Sequence, residues 1–181
     1  VTLVGTPDYA VPGCPPGYYT SCIVVRADDH RSTLDEFETA TLARNDIRSQ
    51  SGWAAIEGHL SETGAGYSFV GRTIDTGSHR ASAERVAAGD ADIASLDGVT
   101  WTLFKRDSPK RAGQLRVLER TRPTPGLPFI TAKGTDPEPL FKAIEAAVDE
   151  LTDADRALLL LKGIVRIPAE IYLREPLPPR E

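Results

Sequence analysis

The sequence predicts an α/β protein, and three observations carry that expectation. Short β-branched segments alternate with helix starts between Thr41 and Phe104, which is the spacing of βαβ units. Ser, Thr or Asp stands at the head of the helical segments and Gly closes several of them, as start and stop signals do. The run Tyr18 to Arg26, YYTSCIVVR, contains no breaker and reads as a strand covered on both faces, the condition of a sheet flanked by helices.

In chain order, Thr2 to Val4 is a short strand that enters a connector rich in proline and glycine. Beyond the YYTSCIVVR strand, Thr33 and Glu36 form a capping box for a short helix whose apolar face is Leu34 and Phe37. Thr41 to Ala43 is a strand, Arg44 to Arg48 a loop, and Ser49-Gln50-Ser51-Gly52 opens a helix with Trp53, Ile56 and Leu60 on one side. The order repeats with strand Phe69 to Ile74, loop Asp75 to Gly77, and Ser78-His79-Arg80 opening a helix that Gly89 stops. Strand Asp92 to Leu96 then leads through Asp97 and Gly98 to the helix Val99 to Phe104. Leu115 to Leu118 and Phe129 to Ala132 are further strands, separated by the stiff connector of Pro123, Pro125, Gly126 and Pro128. Thr135 and Glu138 form a second capping box ahead of an amphipathic helix with Leu140, Phe141, Ile144, Ala147, Val148 and Leu151 on one face. A last helix runs from Asp153 to Lys162, is stopped by Gly163, and holds the longest apolar run, Ala157 to Leu161, as a buried patch; the tail PLPPRE is a frayed end.

Charge narrows the function. The 181 residues carry a formal net charge of -5, which argues against nucleic acid as a partner because a phosphate backbone selects clustered Lys and Arg. With 40% hydrophobic and 26% charged residues the composition is that of a globular soluble protein, and no apolar run approaches the length of a membrane span. An anion bound by such a chain must be held by local groups. The chain starts at Val1 without Met and without a charged segment followed by an apolar one, the expectation for a processed chain or a fragment. Cys14 and Cys22 flank a Pro-Pro-Gly-Tyr-Tyr stretch able to bring them within bridging distance, so a disulfide and a pair of small buried hydrophobes are both open.

Ligands of α/β sheets sit beyond the carboxyl ends of parallel strands. Ser49, Ser78 and Asp97 each follow a strand and are therefore expected to converge there. The first turn of a helix presents unpaired N–H groups and partial positive charge, so hydroxyls and amides aimed at one spot bind an oxyanion without lysine. The competing reading is that Ser49 and Ser78 are ordinary caps. Asp97 can accept a hydrogen bond from a protonated oxyanion and so exclude sulfate, or can simply cap the next helix. His79, at a helix start whose dipole disfavours its cation, can donate one N–H to a ligand or be an exposed polar residue. The three histidines and two cysteines show no metal-ligand spacing, and no metal or cofactor is expected. Gly64 and Gly66 lack the third glycine of a dinucleotide fingerprint, and there is no nucleophile elbow.

The segments YYTSCIVVRADD, NDIRSQSGWAAI, TGSHRASAERVAAGDADIASLDGVTW and RPTPGLPFITAKG follow one another over nearly the whole chain. In them the sequence resembles the phosphate, phosphite and phosphonate binding proteins of ABC importers, a family with the type II periplasmic-binding-protein fold. The resemblance implies that Tyr19 is a hinge tyrosine over the ligand, that Ser49, Gln50 and Ser51 donate from the helix start, and that His79 and Asp97 complete the wall. The family more usually has Ser-Thr-Ser where this chain has Ser-Gln-Ser, which exchanges a hydroxyl for a longer amide. It also usually has most of a first lobe before the hinge strand, where this chain has Val1 to Gly17. Because binding in this fold relies on two lobes closing, an isolated chain starting at Val1 is expected to bind weakly or not at all.

The expected organisation is a remnant of the first lobe with the hinge entry at 1–20, an α/β lobe at 21–132, and C-terminal helices at 133–181 packing back on the lobes, the two lobes joined by a two-strand hinge. The expected role is an extracytoplasmic, periplasmic or lipid-anchored solute-binding component that hands a small phosphorus oxyanion to an ABC transporter permease and catalyses nothing. The rival readings are a sensor or interaction domain of the same fold, and an enzyme acting on a small anion with Asp97 or His79 as base. Against the enzyme stands the lack of a nucleophile and base at recognisable spacing.

Overall fold

The computed structural model describes residues 1–9, 11–69 and 72–175. They form two compact units, one of Val1–Tyr19 with Pro123–Glu175 and one of Thr20–Arg122.

The first unit begins with β1 (Thr2–Asp8), longer than the sequence signal because Gly5 and Pro7 sit inside it. Gly5 is required by packing: a Cβ there would stand 2.7 Å from the Ile164 side chain and 2.8 Å from Phe141. The run YYTSCIVVR divides at Thr20 into β2 (Tyr18–Tyr19) and β3 (Ser21–Arg26), and that division is where the chain passes into the second unit.

The second unit is a five-stranded sheet in the order β5-β4-β6-β3-β7, built from β3, β4 (Leu42–Arg44), β5 (Thr73–Asp75), β6 (Ile93–Asp97) and β7 (Leu115–Arg120). The alternation of strands and helices gives the expected parallel pairs, β4 with β5 and β4 with β6. β3 lies antiparallel between β6 and β7, so the sheet is mixed. Of the strand predicted from Phe69 to Ile74, Val70 and Gly71 lie outside the described residues, and the strand observed is Thr73–Asp75.

Helices cover both faces of this sheet: α1 (Ala55–Thr63), α2 (His79–Ala88), α3 (Gly98–Asp107) and α4 (Pro109–Ala112). Successive side chains of a strand point to opposite faces. Ile23, Val25, Leu42 and Ile93 accordingly pack with Phe37, Trp53, Ile56 and Leu60, while Val24, Ala43, Ala94 and Leu96 pack with Ala83, Val86, Trp101 and Phe104. Consecutive residues Ile23, Val24 and Val25 are fully buried, and each such side chain contributes about 1.5–3 kcal/mol by leaving water. Gly64 and Gly89, both left-handed, end α1 and α2. At the capping box before the short 3-10 turn Leu34–Phe37, the Glu36 carboxylate accepts from the Thr33 N–H at 2.9 Å.

The chain returns to the first unit through β8 (Thr124–Pro125) and β9 (Phe129–Thr131), then α5 (Glu138–Asp149), α6 (Asp153–Leu159), β10 (Gly163–Val165) and α7 (Ala169–Tyr172). β1 is the middle strand of an antiparallel sheet β10-β1-β9, and β2 pairs with β8. Three sequence expectations are corrected here. The Thr135 capping box is not formed; the Asp136 carboxylate takes the Glu138 N–H at 3.0 Å, and Glu138 pairs with Arg166 at 2.6 Å. α6 stops early, at a left-handed Leu160, because Gly163 opens β10. Its apolar run is not buried: Leu158 is 59% and Leu159 48% exposed. The tail PLPPRE lies outside the described residues.

The disulfide that the sequence left open is absent. Cys22 belongs to β3 of the second unit, fully buried, with its Sγ accepting from Arg120 Nη1 at 2.8 Å, while Cys14 sits in the first unit on a turn closed onto Val11; neither is in a disulfide.

Candidate functional site

The second unit brings three loop ends together at one edge of its sheet. β4, β5 and β6 run parallel, so the segments that follow them leave from the same edge. The loop after β5 is tied to the end of β4 by Thr76 N–H to Arg44 O and Gly77 N–H to Asn45 O, each 2.9 Å.

The turn after β4 is wider than an α-helical one. Ala54 N–H reaches Ser49 O, and Ala55 N–H reaches Gln50 O, so residues Gln50–Ala54 form a π-helical turn feeding α1. Such turns recur at functional sites. Ser49 caps it, its Oγ accepting from Gly52 N–H at 3.0 Å. Gln50 is half-buried at the head of the turn and Ser51 is buried. Two neighbours that sequence reasoning missed hold the loop in place. Ser95, fully buried within β6, donates its hydroxyl to Ser51 O at 2.6 Å. Asn45 wedges its carboxamide against the backbone of Gly52, so closely that a Cβ at Gly52 would lie 1.8 Å from Oδ1. That oxygen is buried and has no hydrogen-bond partner among the described residues. For Ser95 the signal was present: it is a hydroxyl inside an apolar strand, two residues from Asp97 and hence on its face.

The second helix start supplies an imidazole. Ser78 caps α2 by accepting from Ala81 N–H at 3.1 Å and is itself exposed. His79 turns inward and its Nε2 lies 2.9 Å from Ser51 Oγ and 3.4 Å from Asp97 Oδ2. Burial holds the imidazole below its ordinary pKa, against weaker opposing effects of the Asp97 carboxylate and the Ser95 backbone. The ring is therefore neutral at pH 7. Nδ1 is buried and meets no group in hydrogen-bonding geometry among the described residues. Nε2 faces both the Ser51 hydroxyl and the Asp97 carboxylate, so a proton on that nitrogen has acceptors within reach. Asp97, at the end of β6, caps α3 through Thr100 N–H to Oδ1 at 2.7 Å, and its Oδ2 remains toward His79.

The structure thus joins Ser51, His79 and Asp97 into one contact chain with Ser49 and Gln50 on the same loop. Tyr19 belongs to the first unit, where it is buried in β2 opposite Thr124. Serine, histidine and aspartate in contact suggest a nucleophilic triad, but the geometry differs. A triad uses one ring nitrogen for the hydroxyl and the other for the carboxylate; here both approach Nε2. What the arrangement presents is donors from a serine and an imidazole beside one acceptor oxygen. Among the described residues no cluster of three or more His, Cys, Asp or Glu could hold a metal ion, and no helix is long and apolar enough to cross a membrane.

Several solved structures share this fold. A protein from Prochlorococcus marinus in complex with methylphosphonate is 16% identical with TM-score 0.76, the match covering 94% of this chain and 67% of that one. A binding protein component of an ABC phosphonate transporter from Pseudomonas aeruginosa is 18% identical with TM-score 0.75, covering 94% of this chain and 59% of that one. A Xanthomonas citri protein bound to chloride ion is 19% identical with TM-score 0.71, covering 95% of this chain and 66% of that one. The chain therefore spans about two thirds or less of the length of these structures, and its fold is that of type II periplasmic binding proteins. No curated protein matches the sequence. The family model described as ABC transporter, phosphonate, periplasmic substrate-binding protein matches residues 10–167, and the chain belongs to that family.

Proposed function

We propose that this chain is the extracytoplasmic solute-binding component of an ABC importer, taking a small phosphorus oxyanion and delivering it to a membrane permease. The observation that carries the reading is the meeting of Ser51, His79 and Asp97 at the carboxyl edge of β4 and β6. In this reading Ser49, Gln50 and Ser51 donate from the widened helix start, and His79 donates from Nε2. Asp97 accepts a proton-bearing oxygen of the ligand. Helix starts favour anions through their unpaired N–H groups and dipole. An acceptor carboxylate beside those donors repels any oxyanion that carries no proton. A chain of net charge -5 has no general attraction for anions, so selectivity rests on this geometry.

The test is a thermal-shift series with phosphate, phosphite, methylphosphonate and sulfate at millimolar concentration, on wild type and Asp97→Asn. A ligand present at a hundredfold excess over its Kd stabilises the folded state by about 2.7 kcal/mol. The proposal expects a phosphorus oxyanion to raise Tm, sulfate to leave it unchanged, and the Asn variant to narrow that difference. Equal stabilisation by sulfate in the wild type, or a preference for phosphorus oxyanions that Asp97→Asn leaves unchanged, refutes it.

A further inference from the structure

Arg44, the last residue of β4, carries a guanidinium that is nearly shut off from water. Its side chain is 10% exposed, and among the described ion pairs the next most buried arginine, Arg156, is 27% exposed. The guanidinium grips Asp75 with two N–H groups, Nε to Oδ1 at 2.5 Å and Nη2 to Oδ2 at 3.2 Å. Its carbon lies 4.7 Å from the Trp53 ring centroid, within the range where a cation is attracted to an aromatic face.

Each of these two partners leads to one of the two helix starts. Trp53 belongs to the widened turn Gln50–Ala54, two residues beyond Ser51, and is buried. Asp75 is the last residue of β5, stands beside Arg44 in the β4 to β5 pairing, and precedes His79 by four residues. One planar group therefore touches both segments. Their side chains meet farther along, with Ser51 Oγ and His79 Nε2 2.9 Å apart.

The pair is not an ordinary surface ion pair. Asp75 is 61% exposed and gains little from a partner, whereas the buried charge of Arg44 depends on one. A lysine cannot take over, because an ammonium is a point charge and lacks the plane that lies on an indole while two N–H groups engage a carboxylate. With those N–H groups held by Asp75, Arg44 acts on the cluster through its neighbours.

We infer that Arg44 is a positioning residue of the proposed anion site: its guanidinium, held between the Trp53 ring and the Asp75 carboxylate, sets the spacing between the helix start that carries Ser51 and the one that carries His79. The inference rests on the site proposed above.

The experiment has a first arm without ligand. The His79 Cε1–H resonance, assigned with His79→Asn, is followed by two-dimensional NMR in wild type, Ser51→Ala, Arg44→Gln, Arg44→Lys, and Arg44→Gln combined with Ser51→Ala. The indole N–H of Trp101, which packs on the other face of the sheet, checks that the fold is intact. The His79 resonance should move in both Arg44 variants while Trp101 stays in place. Ser51→Ala should add less than about half of its wild-type movement on the Arg44→Gln background. Arg44→Lys keeps a cation for Asp75, so it tests the inference even if Arg44→Gln fails to fold, and a shift there is not the mere loss of a charge.

The second arm is calorimetry with methylphosphonate. Arg44→Gln should bind about tenfold more weakly, and adding Ser51→Ala should cost less than about twofold more, against about tenfold in wild type. An Arg44 that only stabilises the fold would leave the two substitutions independent. Equal movement of the His79 resonance by Ser51→Ala in both backgrounds, or an unmoved resonance in Arg44→Lys, overturns the inference. If wild type binds no methylphosphonate while the ligand-free shifts appear as expected, the ligand assignment fails and the spacing role of Arg44 is supported.

Discussion

The two serine-led helix starts of the second unit share a capping residue and differ in nearly everything else. At residues 49–52 the serine caps a widened turn, and the next hydroxyl, Ser51, is buried, stitched to β6 through Ser95 and held down by Asn45 against Gly52. At Ser78 the cap is exposed and ordinary, and the group that reaches the cluster is the imidazole of the following residue. A capping serine therefore signals only a helix. What each start brings to the cluster comes from a residue one or two positions after the cap, Ser51 or His79, and from the neighbours that fix it.

The largest break in this comparison should come from Gly52→Ala. Its Cβ would stand 1.8 Å from Asn45 Oδ1 and 3.1 Å from Ser49 Oγ, so the loop must rebuild, at about 1–3 kcal/mol. Chemical denaturation should show that loss, with any oxyanion response abolished. Asn45→Ala placed on the same background should recover part of the stability. Full stability in Gly52→Ala would mean the wedge is not rigid. A smaller effect is expected at the other start, where Ser78→Ala should cost about 1 kcal/mol as a lost cap while changing oxyanion affinity less than twofold. A clear affinity loss there would erase the distinction between the two starts.

The pH dependence sharpens the role of His79. Its pKa is lowered in the folded chain from an unfolded value of about 6.5. Between the two values the unfolded state binds more protons, so stability rises with pH through that window and is fully present above about 6.5. Acidification from neutral pH should lower the unfolding free energy, and His79→Asn should flatten that dependence. An unchanged slope in the variant would place the titration elsewhere.

How much of this was legible in the sequence follows from where side chains are confined. Ile23, Val24 and Val25 are fully buried between two layers of helices, and an unbroken apolar run announces that environment. The positions of Ser51, His79 and Asp97 after successive strands were readable for the same reason, since a parallel sheet collects its loops at one edge. The direction of β3 was not readable, because a strand buried on both faces looks the same in either orientation. The first unit was harder throughout. Leu127, Phe129, Ile130, Leu140, Leu158 and Leu159 are exposed there, and apolar residues that face water defeat any argument that equates them with a core. β10 was missed because Gly163 served equally as a helix stop and a strand start. Asn45 escaped notice because its importance lies in contact with Gly52, a pairing that spacing along the chain does not reveal.

The proposed site places the oxyanion at the widened helix start that carries Ser51, beside His79, and not at the exposed cap Ser78. Calorimetric titration of methylphosphonate into wild type, Ser51→Ala and Ser78→Ala tests it most directly. The account predicts an affinity about tenfold weaker in Ser51→Ala, equivalent to about 1.4 kcal/mol, with Ser78→Ala close to wild type. Equal affinity in wild type and Ser51→Ala would contradict it.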